Sequence, residues 1–301
     1  MSRNRWFKKH VPRRKFVRRA IRRFMPGETI EAALDAAEQF EHEGIPAVFT
    51  RLGENITELE EAQQVRDHYL EAVDKIAERG LNVELSVKLT QLGLDLSFDA
   101  ALEYCRELAC KAGNRVGNDF FIDMEGSAYV NRTLELYSRL RQEFDNTGLC
   151  IQAYLHRVNS DLDDLFDLNA SLRLVKGAYK ETPDIAIQKK SKVDENFFSL
   201  SQRMLRQTKE HGTRMIYATH DEKLIARIID EAKKTGLPDD RLEFQMLYGV
   251  KTGLQRELVH EGYKVRVLIA YGEAWYPWYM RRLAERPANV LFVLRNVVFK
   301  K

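Results

Sequence analysis

Residues 83–89 read VELSVKL, 119–124 DFFIDM, 149–155 LCIQAYL and 172–177 LRLVKG. Each is a short apolar run, and each is divided from the next by a stretch of helical periodicity. Strands buried on both faces of a parallel sheet carry near-continuous apolar runs of this kind. Working outward, the same signature recurs at residues 45–50, 213–219, 242–247 and 265–271. Helices are expected over residues 28–43, 57–79, 97–112, 129–145, 159–168, 184–210, 221–235, 251–261 and 276–286. Eight strand–helix units in roughly 250 residues predict an α/β chain closed into a (β/α)8 barrel of the TIM type. A doubly wound open sheet would need a GxGxxG turn after its first strand, and that motif is absent.

The chain has 301 residues, 44% hydrophobic and 31% charged, with 16 Gly and 7 Pro, which excludes disordered and collagen-like classes. No run of about 18 apolar residues occurs, so no membrane-spanning helix is expected. Cys105, Cys110 and Cys150 make an odd number, which suits a reducing, cytoplasmic compartment.

The net charge of +3 conceals an asymmetry. Eleven of the 48 Lys and Arg fall in residues 1–23, which contain no acid, leaving 37 basic against 45 acidic residues elsewhere. Residues 1–25 therefore read as a basic amphipathic helical arm ahead of a barrel domain over residues 26–301. Val11, Phe16, Val17, Ala20, Ile21 and Phe24 recur at near-helical spacing among arginines, a pattern that suits an anionic lipid surface. An Arg-rich presequence, a nucleic-acid contact and a solvated helix lying on the acidic body are the other readings. No reading element follows the arm, so no nucleic-acid partner is expected.

Barrel chemistry gathers where strands end. Lys88, Asp123, Gln152, Arg173, Lys176, Thr219, His220, Gln245 and Tyr271 all lie within or at the ends of expected strands. Singly, each has an ordinary structural explanation, such as solvent exposure or a bond to a backbone group. Jointly, several cations at one barrel mouth are costly unless paired or facing an anionic ligand. Lys176 also fits a Schiff-base lysine, as barrel aldolases use, while Gly177 beside it points to close backbone approach. No HxH or HExxH pattern accompanies His220, so no metal site is expected. After Trp275, the run Tyr276, Trp278, Tyr279, Arg281, Arg282 and Glu285 fits either a solvated helix face or a two-pronged carboxylate clamp.

SVKLTQLG (86–93), FIDMEG (121–126), IQAYLHR (151–157), RLVKGAY (173–179), YATH (217–220), EFQMLYG (243–249) and YMRRLAERPANV (279–290) resemble the proline dehydrogenase family. LGE (52–54) also fits, and the likeness runs from Phe24 to Val290. The resemblance implies a distorted barrel that binds FAD noncovalently and oxidises L-proline to Δ1-pyrroline-5-carboxylate by hydride transfer to flavin N5. It also implies that the electrons pass to a membrane quinone, which would place the cytoplasmic chain at the inner face of the membrane.

Carried over position by position, the resemblance makes Asp123 and Arg173 the active-site pair. It assigns Lys88, Arg281 and Arg282 to the proline carboxylate, Leu247 to the proline ring, and Glu285 to the same substrate-binding helix. Glu54 becomes the acidic gate partner of the first arginine. Met124, Gln152, Arg173, Val175, Lys176, Gly177, Ala178, Thr219 and His220 would bind the flavin nucleotide. Two positions depart from the family pattern. Leu268 stands where a tyrosine is usual, which keeps 4-hydroxyproline open as a substrate, and Trp278 replaces an aromatic hydroxyl.

Overall fold

The computed structural model describes residues 23–53 and 56–275. Eight strands close into a parallel barrel in sequence order: β1 (Ala47–Arg51), β2 (Val83–Lys88), β3 (Phe120–Asp123), β4 (Thr147–Gln152), β5 (Ser171–Val175), β6 (Met215–Ala218), β7 (Glu243–Leu247) and β8 (Lys264–Tyr271). β8 returns to β1 with Ala47 opposite Val267 and Arg51 opposite Tyr271, which closes the barrel. The helices are α1 (Ile30–Glu41), α2 (Leu59–Glu78), α3 (Phe98–Val116), α4 (Val130–Glu143), α5 (Val158–Asp167), α6 (Lys190–His211), α7 (Glu222–Thr235) and α8 (Thr252–His260).

α1 precedes the first strand and packs outside β1 and β8, covering the seam of the barrel. Its start is fixed by Thr29, whose hydroxyl accepts from the Ala32 amide at 3.2 Å. Packing on the barrel begins upstream of α1. Met25 is buried, and the Arg23 carbonyl lies where a Cβ on Gly249 would fall.

Strand limits match the sequence expectation closely; the largest difference is at α6, which begins at Lys190 rather than near residue 184. Ile185 and Ile187, two residues apart, share one face of an extended segment: the Ile185 carbonyl accepts from His156 N–H and Ile187 N–H donates to the Tyr154 carbonyl. Backbone pairing with the loop after β4 has taken the place of a helical turn.

Alternation along each strand sorts the two faces. Leu85, Val87, Phe120, Ile122, Leu149, Ile151, Leu172 and Leu174 are buried outward against the helices and form the main apolar core. The opposite parity faces the barrel interior, where charged residues and Phe121 take part of the space that aliphatic layers usually fill in this architecture.

Candidate active site

Charged residues from three strands converge: Lys88 and Asp123 end β2 and β3, and Arg173 lies in the middle of β5. Ser86 and Lys88 share one face of β2, in register with Phe121 and Asp123 of β3. Arg173 of β5 donates through Nη2 to Asp123 Oδ1, and to Ser86 Oγ at 2.7 Å. Ser86 in turn donates to Asp123 Oδ1 at 2.8 Å, while Lys88 Nζ lies 3.4 Å from Oδ2. Arg173 Nη1 donates to Gln245 Oε1 of β7 at 3.3 Å, and its guanidinium sits 5.1 Å above the Phe121 ring. Arg173 is 2% exposed and Lys88 9% exposed, so neither cation is neutralised by bulk water.

The electrostatics follow from that packing. Burial alone would push the Asp123 carboxyl up, yet Arg173, Lys88 and the Ser86 hydroxyl outweigh it and hold it below the usual carboxylate range. Burial opposes the Arg173 charge as well, and Asp123 more than restores it. The result is a fixed anion with two cations at the carboxyl-terminal mouth. Apolar side chains complete the interior rim: Leu247 and Leu268 stand opposite each other on β7 and β8, and both are partly exposed, as is Val175.

The remaining sequence-nominated positions separate into two groups. Gln152 is buried on β4, and its Nε2 donates to the carbonyls of Met124 at 2.9 Å and Glu125 at 3.3 Å. Thr219 is buried and its hydroxyl accepts from the Asp221 amide at 3.2 Å, shaping the turn into α7. His220 Nε2 accepts from the Leu247 amide at 2.8 Å, tying the β6 loop to the end of β7. That acceptor role places the ring proton on Nδ1.

Lys176 does not join the other cations. Its Nζ is held by Asp194 of α6 at 2.5 Å and by Asp221, which caps α7, at 2.9 Å. The parity that turns Arg173 inward turns Lys176 toward these helices, so it lies outside the cation cluster and away from a Schiff-base position. Gly177 also has a local explanation. At φ +116° a Cβ would come within 2.3 Å of the Tyr154 ring, so the glycine makes room for a side chain of the protein itself. Ala178 follows in the same loop. Glu54, Trp278, Arg281, Arg282 and Glu285, and the arm over residues 1–22, lie outside the described residues.

Comparison with known proteins decides the family. A family model described as proline dehydrogenase matches residues 33–295. This chain belongs to the proline dehydrogenase family. It is 41% identical over 283 residues to proline dehydrogenase 1 of Bacillus subtilis (strain 168), covering 94% of this chain and 92% of that one. It is 35% identical over 285 residues to the proline dehydrogenase of Deinococcus radiodurans, covering 92% and 89% respectively. Among solved structures it resembles proline utilization A from Bdellovibrio bacteriovorus inactivated by N-propargylglycine, with a TM-score of 0.81 and 26% identity. That match covers 89% of this chain and 32% of the other, so the chain spans about a third of that larger protein.

In this proline dehydrogenase family chain the barrel interior holds a second charged layer, at the amino-terminal ends of the strands. Arg214, just before β6, forms a two-pronged pair with Glu243 at 2.6 and 2.8 Å and contacts Glu84 and Asp119, each at 2.6 Å. Arg266 of β8 adds a contact to Glu84 at 3.3 Å. Glu243 keeps its charge against burial because Arg214 holds it, whereas burial pushes the Glu84 carboxyl up. Phe121 separates the layers, with the Arg214 guanidinium 5.5 Å from its ring. Gly148 beside it carries no Cβ because one would stand 2.3 Å from the Phe121 ring. Sequence reasoning missed this layer and Ser86. The available signal was parity, since Glu84, Ser86 and Lys88 fall on one face of one strand, as do Asp119, Phe121 and Asp123.

Proposed function

We propose that this chain oxidises L-proline to Δ1-pyrroline-5-carboxylate with FAD as cofactor and a quinone as final electron acceptor. The observation that carries the reading is the meeting of Lys88, Asp123 and Arg173, from three strands, at the mouth of a barrel of this family.

The residues present fit a flavin on one independent observation. Gln152 Oε1 is buried and finds no hydrogen-bond partner among the described residues, because the amide nitrogen is committed to two carbonyls. An unmatched buried acceptor is costly unless a ligand supplies a donor, and the pyrimidine edge of an isoalloxazine offers an N–H. In this reading Gln152 holds that edge, Met124 and Val175 line the ring, and Gly177, Ala178, Thr219 and His220 hold the rest of the nucleotide. When bound, FAD would supply a two-electron acceptor for hydride from the carbon beside the proline nitrogen.

The chain's own groups do the remaining work. Lys88, with the Arg281 and Arg282 clamp, holds the proline carboxylate, and Glu54 and Glu285 steady the clamp. Leu247 packs on the apolar ring of proline, fixing its reacting carbon at attack distance. Arg173, kept cationic by Asp123, stabilises negative charge that develops beside it. The substrate amine must be neutral for hydride to leave, so the step is faster where that proton has been lost to solvent.

The decisive experiment is direct: purify the chain, record the flavin spectrum, and add L-proline anaerobically. Bleaching of a yellow protein supports the reading, and a colourless protein, or a yellow one that proline leaves unchanged, overturns it.

A further inference from the structure

The two charged layers of the barrel interior are not independent. Arg173 rests on two groups below it, the Gln245 amide oxygen at 3.3 Å and the Phe121 ring at 5.1 Å. Both groups also touch the lower layer. Gln245 Nε2 lies 3.5 Å from Glu243 Oε1, and Phe121 presents its ring to Arg214 at 5.5 Å. The Gln245 amide is thus oriented by charges of opposite sign, with its oxygen toward a guanidinium and its nitrogen toward a carboxylate. Turned over, it would meet both with the wrong pole.

We propose that Gln245 and Phe121 are positioning residues through which the Arg214–Glu243 pair at the amino-terminal end of the barrel holds Arg173 on Asp123. Arg173 has five N–H donors and needs contacts on more than one side to stay in one rotamer. Asp123 and Ser86 fix it from the side of β2 and β3, and Gln245 and Phe121 fix it from below. Gly148 belongs to the same device, because only a glycine there leaves Phe121 its place.

The kinetic part of the test rests on the oxidoreductase reading above, while the structural part does not. Gln245→Leu keeps the volume and removes both polar contacts. We expect its crystal structure, determined with the full chain, to show the Arg173 guanidinium displaced by about 1 Å or split between rotamers, a shift large enough to slow chemistry. With L-proline and a dye acceptor, kcat should fall about ten-fold while KM changes less than three-fold. The flavin midpoint potential should move to more negative values.

Gln245→Glu separates positioning from mere packing. When protonated, its side chain again accepts from Arg173 and donates toward Glu243. Its kcat relative to wild type should therefore recover as pH falls, whereas that of Gln245→Leu should not. An unmoved Arg173 in the Leu variant overturns the proposal, as does a kcat within two-fold of a wild type that proline does reduce. A wild type that proline fails to reduce overturns only the oxidoreductase reading, and the crystallographic result still decides this one.

Discussion

Arg173 sits where water cannot hydrate it, so every hydrogen-bond donor it carries must find a protein or ligand partner. Its replacement by Met leaves the partly buried Asp123 with Lys88 at 3.4 Å and the Ser86 hydroxyl as its side-chain partners. Breaking a buried pair from one side costs about 3–5 kcal/mol, because an uncompensated charge remains. Arg173→Met should lower unfolding stability by that amount in urea at neutral pH, and a second change, Asp123→Leu, should recover much of it. Since the Asp123 carboxyl is held below its ordinary range, the stability it contributes is present above that range. It is lost as acid protonates the folded state, so the gap between wild type and Arg173→Met should narrow in acid. Leu268 acts at the same scale. It faces Leu247 across the rim and offers no hydroxyl where the family usually has tyrosine. Leu268→Tyr should raise the kcat/KM preference for L-proline over 4-hydroxyproline about ten-fold, the range a bulky polar substitution in a pocket can supply. An unchanged ratio in a dye-linked assay would show that Leu268 does not set this discrimination.

Helix α2 is fastened to the barrel by a polar contact as well as by its apolar face. His68 Nε2 lies 2.9 Å from the Tyr271 hydroxyl at the end of β8. Burial and the nearby Arg51 push the His68 imidazolium down to about 4, so the ring is neutral when folded and accepts from Tyr271. The unfolded chain, with an ordinary histidine pKa near 6.5, takes up a proton that the folded chain refuses. Stability should therefore fall as pH drops from about 6.5 to 4 and change no further from this source below that. Solvent screening of a partly exposed ring limits the loss to roughly 1 kcal/mol. Comparing urea midpoints of wild type and His68→Gln across that range checks it, since the variant should lack this slope. Elements such as α2 were legible in the sequence because their apolar spacing is local. The eight strands were legible for the same reason, as runs buried on both faces. Lys176 was not, because its partners Asp194 and Asp221 come from the next two helices and only three-dimensional placement reveals them. The start of α6 was misplaced because Ile185 and Ile187 pair with the backbone of the loop after β4, a partner distant in sequence that local pattern does not reveal.

At the scale of the molecule, the interior of this barrel is a column of alternating charge running between its two ends. Arg214, Glu243, Gln245, Arg173, Asp123 and Lys88 follow one another through contacts, each from a different strand or strand position. Its upper end could be anticipated from polar residues at strand ends, but the lower layer depends on register around a closed sheet. The charge asymmetry along the chain was visible at once. With eleven basic residues in positions 1–23 and an acidic excess elsewhere, the chain has one segment that an anionic surface attracts and a body that it repels. In the proposed reading the final acceptor is a quinone dissolved in lipid, and residence at the bilayer would favour its reduction. Basic residues contribute about 1 kcal/mol each near an anionic surface, and salt screens that attraction within a Debye length. Deleting residues 1–22 should therefore abolish co-sedimentation with vesicles containing phosphatidylglycerol at low salt, leaving proline-dependent dye reduction within two-fold of the full chain. The full chain should itself release from those vesicles as ionic strength rises, and should ignore vesicles of neutral lipid. If the truncated chain binds anionic vesicles as well as the intact one, the arm is not what an anionic surface attracts.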